Sequence, residues 1–230
     1  LAPSEGIAQA LRTRVDPSLV ALIPSGVPVP AQAHGVMLNP EAACLAILGR
    51  CRDVSAYQSL LGGLSRVLKQ FRGVQLILEL RGPGEHEIWR EAERLELLGA
   101  VSAIGSASLY RDLLMGSDAI VMPEAGGEVR SIMLECMASG VPVIAREDKS
   151  LYPKGENDFT MEVVSAGSDA WAITLSRLLQ EPEWSRSLGQ QGRAKVQSEH
   201  RSSRHAEQMS SLLDLVSTGG TMQFLSLIHI

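Results

Sequence analysis

The stretch Met122–Ala145, "MPEAGGEVRSIMLECMASGVPVIA", decides the fold of this chain. Val129, Ile132, Met133, Cys136 and Met137 recur at helical spacing, which predicts a helix from about Glu128 to Ser139 with those five residues facing a core. Gly140 stands where such a helix ends in a left-handed cap. Short apolar runs flank it, "DAIVM" at 118–122 and "VPVIA" at 141–145, and both read as buried strands. Strand, helix and strand joined by a few residues make a right-handed crossover, and so a parallel pair.

The same alternation extends in both directions. Further strands are predicted at "ACLAILG" (43–49), "VQLILEL" (74–80), "VSAIG" (101–105) and "MEVVSA" (161–166). Tyr57, Leu60, Leu61, Leu64, Val67, Leu68 and Phe71 form one helical stripe between them; Ile88, Ala92, Leu95 and Leu98 form another. A shorter helix fits Leu109 to Met115. Two helical stretches close the chain, Ser168 to Gln180 and Pro182 to about Val216, the second expected to break near Gly189 and Gly192. The pattern predicts an α/β fold: a Rossmann-like, doubly wound parallel sheet of about six strands with helices on both faces. At the start, "LAPSEGIAQALR" reads as a strand end and a helix capped at Ser4, so the native protein is expected to begin earlier. The apolar "FLSLIHI" (224–230) after Gly219-Gly220 reads as a non-native tail and is left out of the fold.

Composition narrows the partners. The 230 residues are 45% hydrophobic and carry a formal net charge of −5, with no basic surplus for a phosphate backbone, so nucleic acid is not expected as a partner. Apolar runs fall far short of the ~20 residues of a membrane helix. Cys44, Cys51 and Cys136 share no metal or redox spacing, which points to a reducing cytoplasm.

A doubly wound sheet binds ligands beyond the carboxyl ends of its strands. "MPEAGGEVR" is a loop at that edge, and the free N–H groups of the helix after it, reached past Gly126 and Gly127, suit a diphosphate. Glu128 and Glu135 are seven residues apart, on one flank roughly 10.5 Å apart and off the apolar stripe. Glu135, further into the helix, is suited to ribose hydroxyls. The same residues also fit an amphipathic helix with solvated glutamates. Other features read as ordinary: Gly82-Pro83-Gly84 as a turn, His200 and His205 as surface residues too far apart in phase to pair on a metal, Met133 and Met137 as core, and Cys136 as core without a catalytic base.

"SDAIVMPEAGGEVRSIMLECMASGVPVIA" resembles the signature of retaining GT-B glycosyltransferases of family 4 (glycosyl transferases group 1), an aspartate, an apolar strand, then "PS..EGFG...LEAMA.G.PV.A". Asp118, Pro123, Leu134-Glu135, Met137-Ala138, Gly140 and Pro142-Val143 match it. "SEGIAQALRTRVDPSLVALIPSGV" is similar to the family's interdomain passage, "LAILGR" to its first C-domain strand, and "GSDAWAITLSRLLQEPEWSRSLGQQGRAKV" to its closing helices. The resemblance implies the C-terminal, nucleotide-sugar-binding half of a two-domain enzyme: 1–27 as a remnant of the N-terminal domain and linker, 28–195 as the donor domain, 196–216 as a terminal helix and 217–230 as the non-native tail.

It further implies a donor-binding set of Gly49, Arg50, Gly126, Gly127, Glu128, Val129, Arg130 and Glu135, with Arg50 on the donor diphosphate and Glu135 on the nucleotide ribose. The donor would be a UDP-, GDP- or ADP-linked sugar, with no metal or other cofactor required. The acceptor would be a glycan or lipid, and the missing N-terminal domain would give a peripheral association with the inner face of the membrane. Several positions depart from the pattern. Ser55 replaces the family's lysine five residues after Arg50, Gly127 replaces the first glutamate of its pair, and Leu80 the first glycine of its strand-2 turn. Arg130 stands at the second glycine of "EGFG", and with Arg50 is a candidate stabiliser of the diphosphate. The alternatives are a degenerate, non-catalytic GT-B domain serving a partner and a GT-B sugar-nucleotide epimerase.

Overall fold

The computed structural model describes residues 1–3, 5–33, 42–124, 131–147 and 161–217. Its six strands are β1 (Cys44–Ile47), β2 (Gln75–Glu79), β3 (Val101–Ile104), β4 (Ala119–Met122), β5 (Val143–Arg146) and β6 (Glu162–Val164). All pair parallel, in the order β3-β2-β1-β4-β5-β6. The four central strands are almost wholly apolar and covered on both faces, the burial that a parallel sheet requires. Each lies within two residues of its expected run.

Among the described residues eight α-helices accompany them: α1 (Glu5–Arg12), α2 (Val54–Gln70), α3 (Glu85–Arg94), α4 (Arg111–Met115), α5 (Ser131–Ala138), α6 (Ser168–Gln180), α7 (Pro182–Glu199) and α8 (Ser202–Ser217). On one face α2, α3 and α6 bury Tyr57, Leu60, Leu64, Ile88, Trp171 and Leu175 against the sheet. Burying each such side chain is worth about 1.5–3 kcal/mol. Gly63 lets α6 approach closely, since a Cβ there would lie 2.7 Å from the Trp171 Cβ. The opposite face is covered by α5, with Val196 of α7 packed into the same core. Gly140, at φ +86°, ends α5 as expected, and Val141 donates its N–H back to the Cys136 carbonyl.

Three expectations change. The helix after β4 is described from Ser131, and every residue from Ile132 to Ala138 is buried, so α5 is enclosed all round rather than amphipathic. Glu135 is therefore not a solvated flank residue. The break expected near Gly189 and Gly192 is absent. These glycines lie within α7, where a Cβ on Gly189 would strike the Gly140 carbonyl, so a close approach of α7 to the end of α5 calls for a glycine. The chain turns instead at His200–Arg201, and α7 runs unbroken through the expected boundary at 195–196. There Val27 forms a parallel bridge to Arg201. His200 and His205 are also not simple surface residues. Their Nδ1 atoms lie 3.0 and 2.8 Å from the carbonyl oxygens of Ser25 and Pro24, so each must carry the proton on Nδ1. Ser4 and the tail from 218 onward lie outside the described residues.

Candidate functional site

The strand order reverses its direction of growth between β1 and β4, and there the loops leaving their carboxyl ends diverge to opposite faces. The loop after β1, Gly49 to Asp53, turns through Cys51 at φ +51°, and a residue in that region aims successive N–H groups to one side. They meet the carboxylate of Glu124, just beyond β4. Its Oε2 accepts the Arg50 N–H at 2.6 Å; its Oε1 accepts the Asp53 N–H at 2.8 Å and a very short bond from the Arg52 N–H. Gly49 is required beneath this contact, because a Cβ would strike the Tyr57 hydroxyl and lie 3.0 Å from Glu124 Oε2. A second carboxylate fixes the loop from the other side. Glu79, at the end of β2 and 3% exposed, accepts the Gly49 N–H at 3.2 Å on Oε2 and the Ala107 N–H at 2.9 Å on Oε1. Three strand ends are thereby held in register by one buried side chain.

Asp53 caps α2 by accepting the Ala56 N–H on Oδ1 at 3.1 Å. The Ser55 hydroxyl donates to the same oxygen at 2.5 Å, and Nη1 of Arg146, at the carboxyl end of β5, donates to Oδ2 at 2.7 Å. The serine bond is the main reason the Asp53 carboxyl sits below its ordinary range; partial burial opposes it, and Arg146 and the Ala56 N–H add to it. On α5, Glu135 is buried and receives Nη1 of Arg111, from the first turn of α4, at 2.5 Å on Oε1. The glycines of the turn after β2 pack on the β1 loop: Gly84 donates its N–H to the Cys51 carbonyl at 2.7 Å, and Gly82, at φ +151°, leaves no room for a Cβ beside the Arg50 carbonyl. A cavity of about 600 Å³ opens beside that turn between Leu80, His86, Trp89 and Gly105, at the β2–β3 edge rather than at the β1/β4 cleft.

A model of the family described as glycosyl transferases group 1 matches residues 42–181, more than half of the chain. The chain belongs to the group 1 glycosyltransferases. It is 26% identical over 191 residues to a D-inositol 3-phosphate glycosyltransferase of Actinosynnema mirum, a match covering 73% of this chain and 45% of that protein. The chain thus spans about half the length of the curated relatives it matches. Among solved structures it is similar to sucrose-phosphate synthase from Thermosynechococcus elongatus, with a TM-score of 0.75 at 22% identity over 95% of this chain and 58% of that one. It is also similar to Anabaena HepE in complex with UDP and glucose, with a TM-score of 0.74 at 16% identity over 93% of this chain and 62% of that one. These likenesses show the GT-B, Rossmann-like fold.

Of the donor-binding residues expected of this group 1 glycosyltransferase, Gly49 and Arg50 lie at the β1/β4 reversal and Glu135 lies buried on α5. Gly126, Gly127, Glu128, Val129 and Arg130 lie outside the described residues. Cys136 is fully buried, and burial first, then the adjacent Glu135, pushes its thiol up to about 12, consistent with core packing and not with a nucleophile. Four residues that organise the site escaped the sequence reading: Glu79, Glu124, Arg111 and Arg146. For Glu79 a signal was present, a lone carboxylate at the end of an otherwise apolar strand. Glu124 stands in the loop "MPEAGGEVR" already singled out, flanking the expected glutamate position out of register; nothing local marks Arg111 or Arg146, and the partners of all three lie 24 to 93 residues away. Among the described residues no helix is long and apolar enough to cross a membrane.

Proposed function

We propose that this chain is the donor-binding half of a retaining glycosyltransferase of family 4, acting on a nucleoside-diphosphate sugar. One observation carries the reading: the backbone of Arg50 and its neighbours converges on a carboxylate at the β1/β4 reversal, so the loop is already shaped to hold an anion there. Arg50 is assigned to the donor diphosphate, since its fork of donors matches phosphate oxygens and keeps its charge. Glu135 is assigned to the ribose hydroxyls, with Arg111 fixing the rotamer of its carboxylate. Gly126 to Arg130 complete the phosphate cradle in this proposal. During transfer the bond between the anomeric carbon and the distal phosphate oxygen breaks and its electron pair leaves with the diphosphate. The acceptor oxygen bonds the same face of the sugar and gives up its proton to the departing diphosphate oxygen. Guanidinium groups and helix N–H groups stabilise the leaving charge, and no resident metal is invoked.

Residues 1–27 are read as the passage from an N-terminal acceptor domain, the chain from 28 to the turn at His200–Arg201 as the donor domain, α8 as the terminal helix and the residues beyond it as a non-native tail. The acceptor would be a glycan or a lipid, reached on the cytoplasmic side with peripheral membrane contact through the other domain. A second reading, a donor domain that no longer turns over, draws support from Ser55 and Gly127 at the expected lysine and glutamate.

Calorimetric titration of the chain with UDP, GDP and ADP tests the donor site. UDP is the first to try, since the Anabaena neighbour was solved with UDP. One nucleotide is expected to bind, and Arg50→Ala and Glu135→Gln each to weaken it by about 1.5–3 kcal/mol, as for bonds to charged groups. Absence of binding to folded protein overturns the donor-site reading.

A further inference from the structure

We infer that Arg146 supplies, from strand β5, the cation at the donor diphosphate that the group's signature places on the lysine replaced here by Ser55. The inference rests on the donor-site reading above and adds a residue to it. Ser55 and Arg146 are 91 positions apart in the sequence, yet they bind the two oxygens of one carboxylate, Asp53 Oδ1 and Oδ2. The guanidinium and the position-55 side chain are therefore separated by that one carboxylate and a hydrogen bond on either side of it. It stands at the carboxyl end of β5, next to β4, on the edge of the sheet where the β1 and β4 loops meet. From there the contacts are continuous: Arg146 bonds Asp53, the Asp53 N–H bonds Glu124, and Glu124 bonds the Arg50 N–H.

The Arg146 side chain is only 26% exposed, and one of its five N–H groups is bonded to Asp53, with no other bond among the described residues. A guanidinium that gives one N–H to this anchor has the fork geometry to bridge a second anion beside the first. Capping of α2 does not need it, because Asp53 Oδ1 already accepts the Ala56 N–H. Glu135 and Arg111 mark the nucleoside end of the proposed site; Arg146 and Asp53, on β5 and at the start of α2, form a separate ion pair. Arg146 should therefore sense the phosphate further from the ribose. In glycosyl transfer that phosphate gathers the leaving charge.

The test is calorimetry of the full chain with the nucleoside diphosphate that binds it and with the corresponding monophosphate, on wild type, Arg146→Gln, Arg146→Lys and the double variant S55K/R146Q. Arg146→Gln is expected to weaken the diphosphate by about tenfold or more and the monophosphate by less than about threefold, since a charge-assisted bond is lost only where the second phosphate sits. Arg146→Lys, which keeps the charge, and S55K/R146Q, which restores a cation at position 55, are both expected to recover most of the diphosphate affinity. A purely structural role would shift the melting temperature but leave the ratio of the two affinities unchanged. Equal diphosphate binding by wild type and Arg146→Gln, or equal weakening of both nucleotides, overturns the inference and leaves the donor site standing. Failure of the wild type to bind UDP, GDP or ADP overturns the donor site and the inference with it.

Discussion

Removing the Glu79 carboxylate separates its role from that of an ordinary strand residue. Its two oxygens satisfy the N–H groups of Gly49 and Ala107, both buried, so Glu79→Ala strands two backbone donors away from water. Each buried, unpaired donor costs about 1–3 kcal/mol, which gives a loss of about 2–6 kcal/mol, the upper end diminished because the Gly49 bond is long at 3.2 Å. Glu79→Gln keeps one carbonyl oxygen and turns an amide N–H₂ toward the other donor, so it should lose about half as much. Urea unfolding at pH 7 reads both: the midpoint falls in the order wild type, Gln, Ala with the slope unchanged. For a chain of this length each kcal/mol also lowers the melting temperature by about 2–4 °C. The carboxylate ties the loops after β1 and β3, so nucleotide affinity should fall in the same order. A Glu79→Ala protein within about 0.5 kcal/mol of wild type would mean that Glu79 does not satisfy these two N–H groups, because that is the effect of an unremarkable surface substitution.

Gly189→Ala should destabilise by about 1–3 kcal/mol, since its Cβ meets the Gly140 carbonyl and the strain exceeds the gain in helix propensity; thermal unfolding at or above the wild-type temperature would remove the close-approach argument. His200 is buried against Ser25, and burial lowers its pKa from the ordinary 6.5. The unfolded chain therefore binds the proton more readily, and stability is lost as pH falls through about 6.5. His200→Asn should flatten the fall in urea midpoint between about pH 7.5 and about pH 5.5, and an unchanged fall would assign that dependence to other groups.

The architecture was legible in the linear chain. Apolar runs of four or five residues alternating with helical stripes specify parallel strands and crossovers, because hydrophobic burial reads composition at short range and the handedness rule leaves few topologies. Gly49-Arg50 could be placed at a strand end and Glu135 on the helix after β4 for the same reason. The pattern alone misjudged the surroundings of particular residues. Glu135 reads as a flank residue in a helical projection, yet α5 is covered on all sides, and only the tertiary packing of α4 and α7 decides that. Gly189 reads as a break because the cost of a glycine is local, while the carbonyl that calls for one belongs to a turn some fifty residues away. The site's polar network lay further still beyond a linear reading. Glu124 with Arg50, Arg111 with Glu135 and Arg146 with Asp53 are contacts between chain segments that meet only once the sheet has ordered its strands. Hydrogen bonds made by side chains carry no periodicity along the chain, so the charges that complete the cleft became visible only when the fold brought them to their partners.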